Sequence, residues 1–181
     1  MSTDHPQPAA QRTVYGGYQG KDNPSERERI VHLLDVYRST EGFVAQYLPR
    51  WIEVSPNEAV KGGLRTVQAR EAAHARLMKA RLLELGETPH AEISPERRQR
   101  EVPFFSAADR PDIEKMRTLA ELFGNADAFL KPVTDIVDLI EDDQQTRELL
   151  RTIIDDEYAS IKWIQDMYRS LSAPAPAPAA A

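Results

Sequence analysis

The chain of 181 residues contains no cysteine. That absence removes disulfide frameworks, zinc ribbons, iron–sulfur clusters and thiol nucleophiles from consideration. It also lacks any uninterrupted apolar run near the roughly 18 residues that a membrane span needs. Positive charge is in deficit, because 23 Lys and Arg face 29 Asp and Glu for a formal charge of −6. Contact with nucleic-acid phosphates requires a net basic face, so no nucleic-acid partner is expected. The opening residues MSTDHPQPAAQRT show neither the basic start nor the apolar stretch of a signal peptide, which makes the cytoplasm the expected location. No Gly-rich phosphate loop and no Ser–His–Asp arrangement can be read along the chain.

What is present is helical patterning. The length suits one domain with a sizeable core. Its ends do not belong to that core. Residues 1–24 form a polar arm rich in Gly and Pro, and SAPAPAPAAA at 172–181 is a low-complexity tail. Neither buries enough apolar surface to offset its ordering entropy, although Val14, Tyr15 and Tyr18 suit an arm lying partly against the domain.

Residues 25–171 read as four helices, an all-α bundle. The first starts at a capping box, Ser25 with Glu28, and carries Ile30, Leu33, Leu34, Tyr37, Val44, Ala45 and Leu48 before Pro49 ends it. The second starts in Ser55-Pro56-Asn57-Glu58 and stops at Gly86. Gly62-Gly63 weakens its first turns and suits a close helix contact. The third starts near Asp109-Arg110-Pro111 and runs through Met116, Phe123, Leu130 and Val137, with a kink expected at Pro132. The fourth spans Gln144 to Leu171. Short links make one–two and three–four antiparallel hairpins. The 24 residues 86–109 between helices two and three predict a long crossover, which is the ferritin-like bundle order. An up-down bundle with a surface loop is the plainer alternative.

Acids fall on the apolar stripes of these helices. On the second, Glu71 and His74 continue the series Leu64, Val67, Met78, Leu82. On the first, Glu41 sits within Leu34, Tyr37, Val44, Leu48; on the fourth, Glu157 sits within Ile153, Ile154, Ile161, Ile164. Heights agree as well, since Glu41 and Glu71 lie equally far from the turn near residue 56. The same construction about residue 142 pairs Glu157 with Asp127, preferred on angle over Glu121. Buried acids at one level must stay protonated, pair with cations or hold a metal. No Lys or Arg falls on these stripes, and oxygen ligands with one imidazole suit Fe, Mn or Zn. A lone Glu-x-x-His on a helix is a common accident; the co-facing Glu41 and Glu157 are what point to a metal.

Two stretches, REAAHARLMKARLLELGETP at 70–89 and LLRTIIDDEYASIKWI at 149–164, resemble the second and fourth helices of bacterioferritins, rubrerythrins and their ferritin-like relatives. The resemblance implies a di-iron carboxylate site. Glu41 would be the lone ligand of the first helix, Glu71 a bridging or chelating carboxylate, His74 the first imidazole and Glu157 the carboxylate of the last motif. Ser160 stands where that motif should end in His, so a single ion is implied as readily as two. Ala72 replaces the haem-binding methionine, and no haem is expected. Without the fifth helix of cage-forming ferritins, a homodimer is expected rather than a shell. The implied activity is an iron- or manganese-dependent oxidoreductase, oxidising ferrous iron or handling peroxide, with Tyr37 or Tyr158 as a nearby phenol. The competing expectation is a non-catalytic ferritin-like module, structural or protein-binding, that has lost its metal. A ligand-binding cavity between the helices is a third, weaker expectation.

The remaining histidines, His5, His32 and His90, read as surface residues, and Trp51 and Trp163 as packing residues. EDDQQ at 141–145 and Asp155-Asp156 read as a solvated turn and a helix edge, and ERRQRE at 96–101 as a mixed-charge loop.

Overall fold

A computed structural model describes residues 24–173. The N-terminal arm, with Val14, Tyr15, Tyr18 and His5, and the tail beyond Ala173 lie outside the described residues. Among the described residues the fold is all-helical: α1 (Glu26–Val54), α2 (Glu58–Glu84), α3 (Pro95–Ser106), α4 (Asp112–Phe123), α5 (Ala126–Asp138) and α6 (Gln144–Ser172). None of these helices is long and apolar enough to cross a membrane.

The four helices expected are therefore six. α1 starts at the predicted capping box, with Ser25 Oγ accepting from the Glu28 amide and Glu28 accepting from the Ser25 amide. It does not stop at Pro49 but continues to Val54. A proline inside a helix costs one backbone hydrogen bond. The buried Trp51 just beyond it, whose Nε1 donates to Asp112 at 2.7 Å, offsets that cost. Asn57 rather than Ser55 caps α2, accepting from the Ala59 and Val60 amides. Ser55 Oγ instead donates to Asp112 at 2.6 Å.

The 86–109 connection is not a bare loop. It holds α3, capped by Ser94 with Pro95 in the first turn. Only Phe105 of this helix is buried, stacked on Tyr47 at 5.0 Å and on Trp51 at 5.4 Å between ring centroids. One buried side chain leaves no periodic signal, which is why the segment reads as polar loop. Polar clasps fix both its ends. Arg27 donates to the Leu85 carbonyl and pairs with Glu87. The buried Asp35 accepts from the His90 and Ala91 amides and from Arg38. At the far end Asp112 is held by Trp51 and Ser55, and the buried Lys115 Nζ donates to the Ala107 carbonyl.

The third expected helix is two. Its break falls at Gly124, with φ +48°, and at Asn125, whose side chain accepts from the Ala128 amide and starts α5 afresh. Pro132 lies inside α5 and does not interrupt it. The turn before α6 is organised rather than merely solvated. Glu26 accepts from the amides of Glu141, Asp142 and Asp143, and Arg81 Nη2 donates to both carboxylate oxygens of Asp143.

The core divides into two apolar clusters. Ile30, Leu33, Leu34 and Tyr37 of α1 pack with Met78 and Leu82 of α2, with Leu130, Val133 and Val137 of α5, and with Leu150 to Ile161 of α6. Phe43 to Trp51 of α1 pack with Val60 to Val67 of α2, Phe105 of α3, Met116 and Leu119 of α4, and Ile164 of α6. α1 and α2 are thus antiparallel. Between the clusters lies a polar waist at the level of residues 41, 71, 74, 157 and 160. At Gly63 a Cβ would overlap the Trp163 indole, whereas at Gly62 it would meet nothing within 4 Å.

Two outcomes follow. Gly62→Ala is expected to stabilise the chain by about 0.5–1 kcal/mol through helix propensity, while Gly63→Ala destabilises it by expelling Trp163, both read by urea unfolding. Burial by itself would raise the Asp35 carboxyl, but Arg38 and the two amides outweigh it and hold the group below the usual range. Its contribution is therefore present above the unfolded value of about 3.9 and lost as pH falls through the depressed one. Asp35→Asn is expected to cost roughly 1.5–3 kcal/mol at pH 7, a deficit that shrinks as the solution approaches pH 3.

Candidate metal centre

The waist brings together side chains from three helices. Glu41 comes from the middle of α1, Glu71 and His74 from α2, and Glu157 and Ser160 from α6, all buried. Each sits on its helix's apolar stripe, so the two apolar clusters above and below fix its height. His74 Nδ1 lies 3.3 Å from Glu41 Oε2 and 3.4 Å from Glu157 Oε1. One donor atom from each of Glu41, His74 and Glu157 falls within 4.8 Å of the others. Glu71 is hydrogen-bonded through its carboxyl to that of Glu41.

The imidazole is held from its other side too. Nε2 lies 3.2 Å from Asp156 Oδ2, on a carboxylate that reaches solvent with a side-chain exposure of 41%. A proton placed on Nε2 and given to Asp156 leaves the Nδ1 lone pair facing Glu41 and Glu157. A carboxylate behind a ligating histidine sets the ring's tautomer in this way. The aligned bond of Nδ1 goes to Glu41, so Glu157 Oε1 stays buried without a hydrogen bond. An orphaned buried acceptor beside two carboxyls and one imidazole nitrogen fits a cation of the Fe, Mn or Zn type. The residues present therefore suit the group that the sequence led one to expect.

Without a cation, protons must keep the charge down. Burial, reinforced by the Glu157 charge, holds the Glu41 carboxyl well above the carboxylate range. Burial and the charges of Glu41 and Glu157 do the same to Glu71. Burial alone would disfavour a charged His74, but the carboxylates of Glu157 and Asp156 beside its two nitrogens outweigh it and raise the imidazole. The metal-free waist is therefore a proton-rich cluster.

Of the residues expected at the site, Glu41, Glu71, His74 and Glu157 gather and Asp127 does not. Asp127 is exposed in the first turn of α5, hydrogen-bonded to the Tyr158 phenol. The break at Gly124-Asn125 resets the helical phase there. Within α5, Asp127 lies about 60° from Leu130 at 100° per residue, on the side away from the buried Val133. Tyr158 faces Asp127, whereas the buried Tyr37 lies one turn before Glu41.

Two contributors escaped the sequence reading. Asp156 reads as a helix edge, because periodicity assigns faces and not reach. Arg70 precedes Glu71 and points off the stripe, yet its length carries the guanidinium across to α6, where it donates to Ser160 Oγ at 3.3 Å. The chain matches no protein-family model, no curated protein and no solved structure.

The three raised groups share one sign. Glu41 and Glu71 keep protons in the fold that they release near pH 4.5 when unfolded, and His74 keeps one beyond its ordinary value near 6.5. The folded chain binds more protons, so the waist's contribution to stability falls as pH rises through these values. The melting temperature of the metal-free chain should fall less between pH 5 and pH 8 in Glu71→Gln than in the wild type. The variant's gain at pH 8 is roughly 1 kcal/mol, about 2–4 °C for this chain length. Parallel curves for the two proteins contradict a proton held at Glu71.

Proposed function

We propose that this chain is a ferritin-like metal-binding protein whose ion is held by Glu41, His74 and Glu157, with Glu71 beside them. The observation that carries this reading is the convergence of three buried donor atoms, from three helices, within 4.8 Å. Iron is the first choice of metal, with manganese and zinc as alternatives. Iron held there would supply one-electron chemistry toward dioxygen or peroxide, which makes an oxidoreductase the natural activity. The chain's own contribution is positional. Asp156 orients the imidazole, the clusters around Tyr37 and Phe43 exclude water from either side, and the carboxyls give up their protons when a cation enters.

The ferritin-like order has its own support. α2 passes from the Val60–Val67 cluster to the Met78–Leu82 cluster, and α4 followed by α5 passes between the same clusters in the same sense. Parallel second and third rods joined through α3 are what the expected crossover requires.

A second reading has one observation in its favour. Ser160 stands where a second imidazole would complete the motif, so one nitrogen ligand of a paired-ion site is missing. A non-catalytic helical module would keep the fold without that ligand.

Elemental analysis of protein purified without chelator separates the two. Bound metal is expected, and ferrous or manganous ion at about 100 times its Kd should add about 2.7 kcal/mol of stability, roughly 5–10 °C in Tm. His74→Ala should abolish the shift. Metal-free protein that shows no shift with either ion sinks the metal reading and leaves the module.

A further inference from the structure

We infer that Arg70 is a built-in cation that limits the waist to one divalent ion. This rests on the metal reading above and adds to it the number of ions. Arg70 lies at the rim, with a side-chain exposure of 31%. Its guanidinium reaches inward along α6, donating to Ser160 Oγ at 3.3 Å, with Nε 3.4 Å from Asp156 Oδ1. Ser160 is buried one turn beyond Glu157 on the same face of α6. The other oxygen of Asp156 meets His74 Nε2 at 3.2 Å. Ser160, Arg70, Asp156 and His74 thus form one connected row along the α6 side of the carboxyl group.

That row occupies the side on which a second ion would have to find ligands. The Ser160 hydroxyl accepts from the guanidinium, and each Asp156 oxygen already faces a partner, so neither is open to a second metal. Charge leads to the same conclusion. An arginine cannot give up its charge in a protein. Together with one divalent ion it brings three positive charges against the four carboxyl groups of Glu41, Glu71, Asp156 and Glu157. A second divalent ion would bring five against four, an excess of positive charge at a largely buried group. The serine at position 160 is then more than a missing imidazole: its small side chain leaves room for Arg70.

The test is a titration of metal-free, full-length chain with manganous ion alone, with bound ion per chain measured by equilibrium dialysis and elemental analysis. One ion per chain is expected for the wild type. The double variant Arg70→Ala with Ser160→His should bind two, a doubling of capacity, with circular dichroism confirming the helices. Should that variant fail to fold, Arg70→Gln keeps a hydrogen-bonding side chain without the charge and should admit a second, weaker ion. Two ions in the wild type overturn this inference while leaving the metal reading intact. No ion in the wild type sinks the metal reading and this inference with it. A capacity fixed at one in a folded variant lacking Arg70 overturns the inference alone.

Discussion

The structure depends on an imidazole buried among carboxyl groups from two neighbouring helices, a combination that low-dielectric surroundings penalise unless every charge is answered. His74 meets Glu41 and Glu157 through one nitrogen and Asp156 through the other. α1, α2 and α6 must therefore hold one relative height, because a slip of one turn, about 5.4 Å, would strand the carboxyls against Leu or Ile. The apolar clusters on either side of the waist enforce that height without conflicting with it. Packing decides where the helices stop sliding, and the polar group occupies the level at which they stop.

The α2–α6 pairing shows how this register is built. As α2 advances, its partners on α6 recede: Gly63 against Trp163, Arg70 with Ser160, His74 with Asp156, Arg81 with Thr146. Four contacts along two antiparallel rods use three chemistries, since both guanidinium groups reach a hydroxyl. A backbone cradle receives an indole, a guanidinium reaches a hydroxyl, an imidazole meets a carboxylate, and a second guanidinium caps the end. The Gly63 approach matters most for spacing, since it lies two turns before Arg70 and lets α6 come near enough for the short Ser160 side chain to be reached. At the bundle ends the same task falls to carboxylates aimed at backbone amides. Glu26 takes three amides of the α5–α6 turn, and Asp35 takes two of the segment leading to α3.

Much of this was legible in the sequence, and the limits have physical causes. Long amphipathic helices announce themselves through periodicity, so α1, α2 and α6 were readable nearly end to end, as were the buried Glu41, Glu71, His74 and Glu157. The capping box at Ser25 was readable because its signal is local. Three things were hidden. α3 buries one side chain and so has no stripe to read. The α4–α5 break depends on a positive φ at Gly124 followed by an Asn cap, inside a run whose apolar spacing is uninterrupted, and it carried Asp127 off the expected face. Arg70 and Asp156 lie off the stripes and act by reach, which depends on the distance between two helices and not on spacing within either.

Asp156 gives the waist its one evident connection to water among the residues that touch His74. Glu41, His74 and Glu157 keep side-chain exposures of 3%, 3% and 8%, against 41% for Asp156. If a cation enters as proposed, the displaced protons would have to leave the cluster, and the contact from His74 Nε2 to this carboxylate leads toward solvent. The same carboxylate is paired with Arg70, so ring orientation, contact with solvent and local charge all meet at one side chain. Loss of Asp156 would therefore act on the site even though its oxygens face away from Glu41 and Glu157. A buried imidazole has two nitrogens to satisfy, and Asp156 answers Nε2 as Glu41 answers Nδ1.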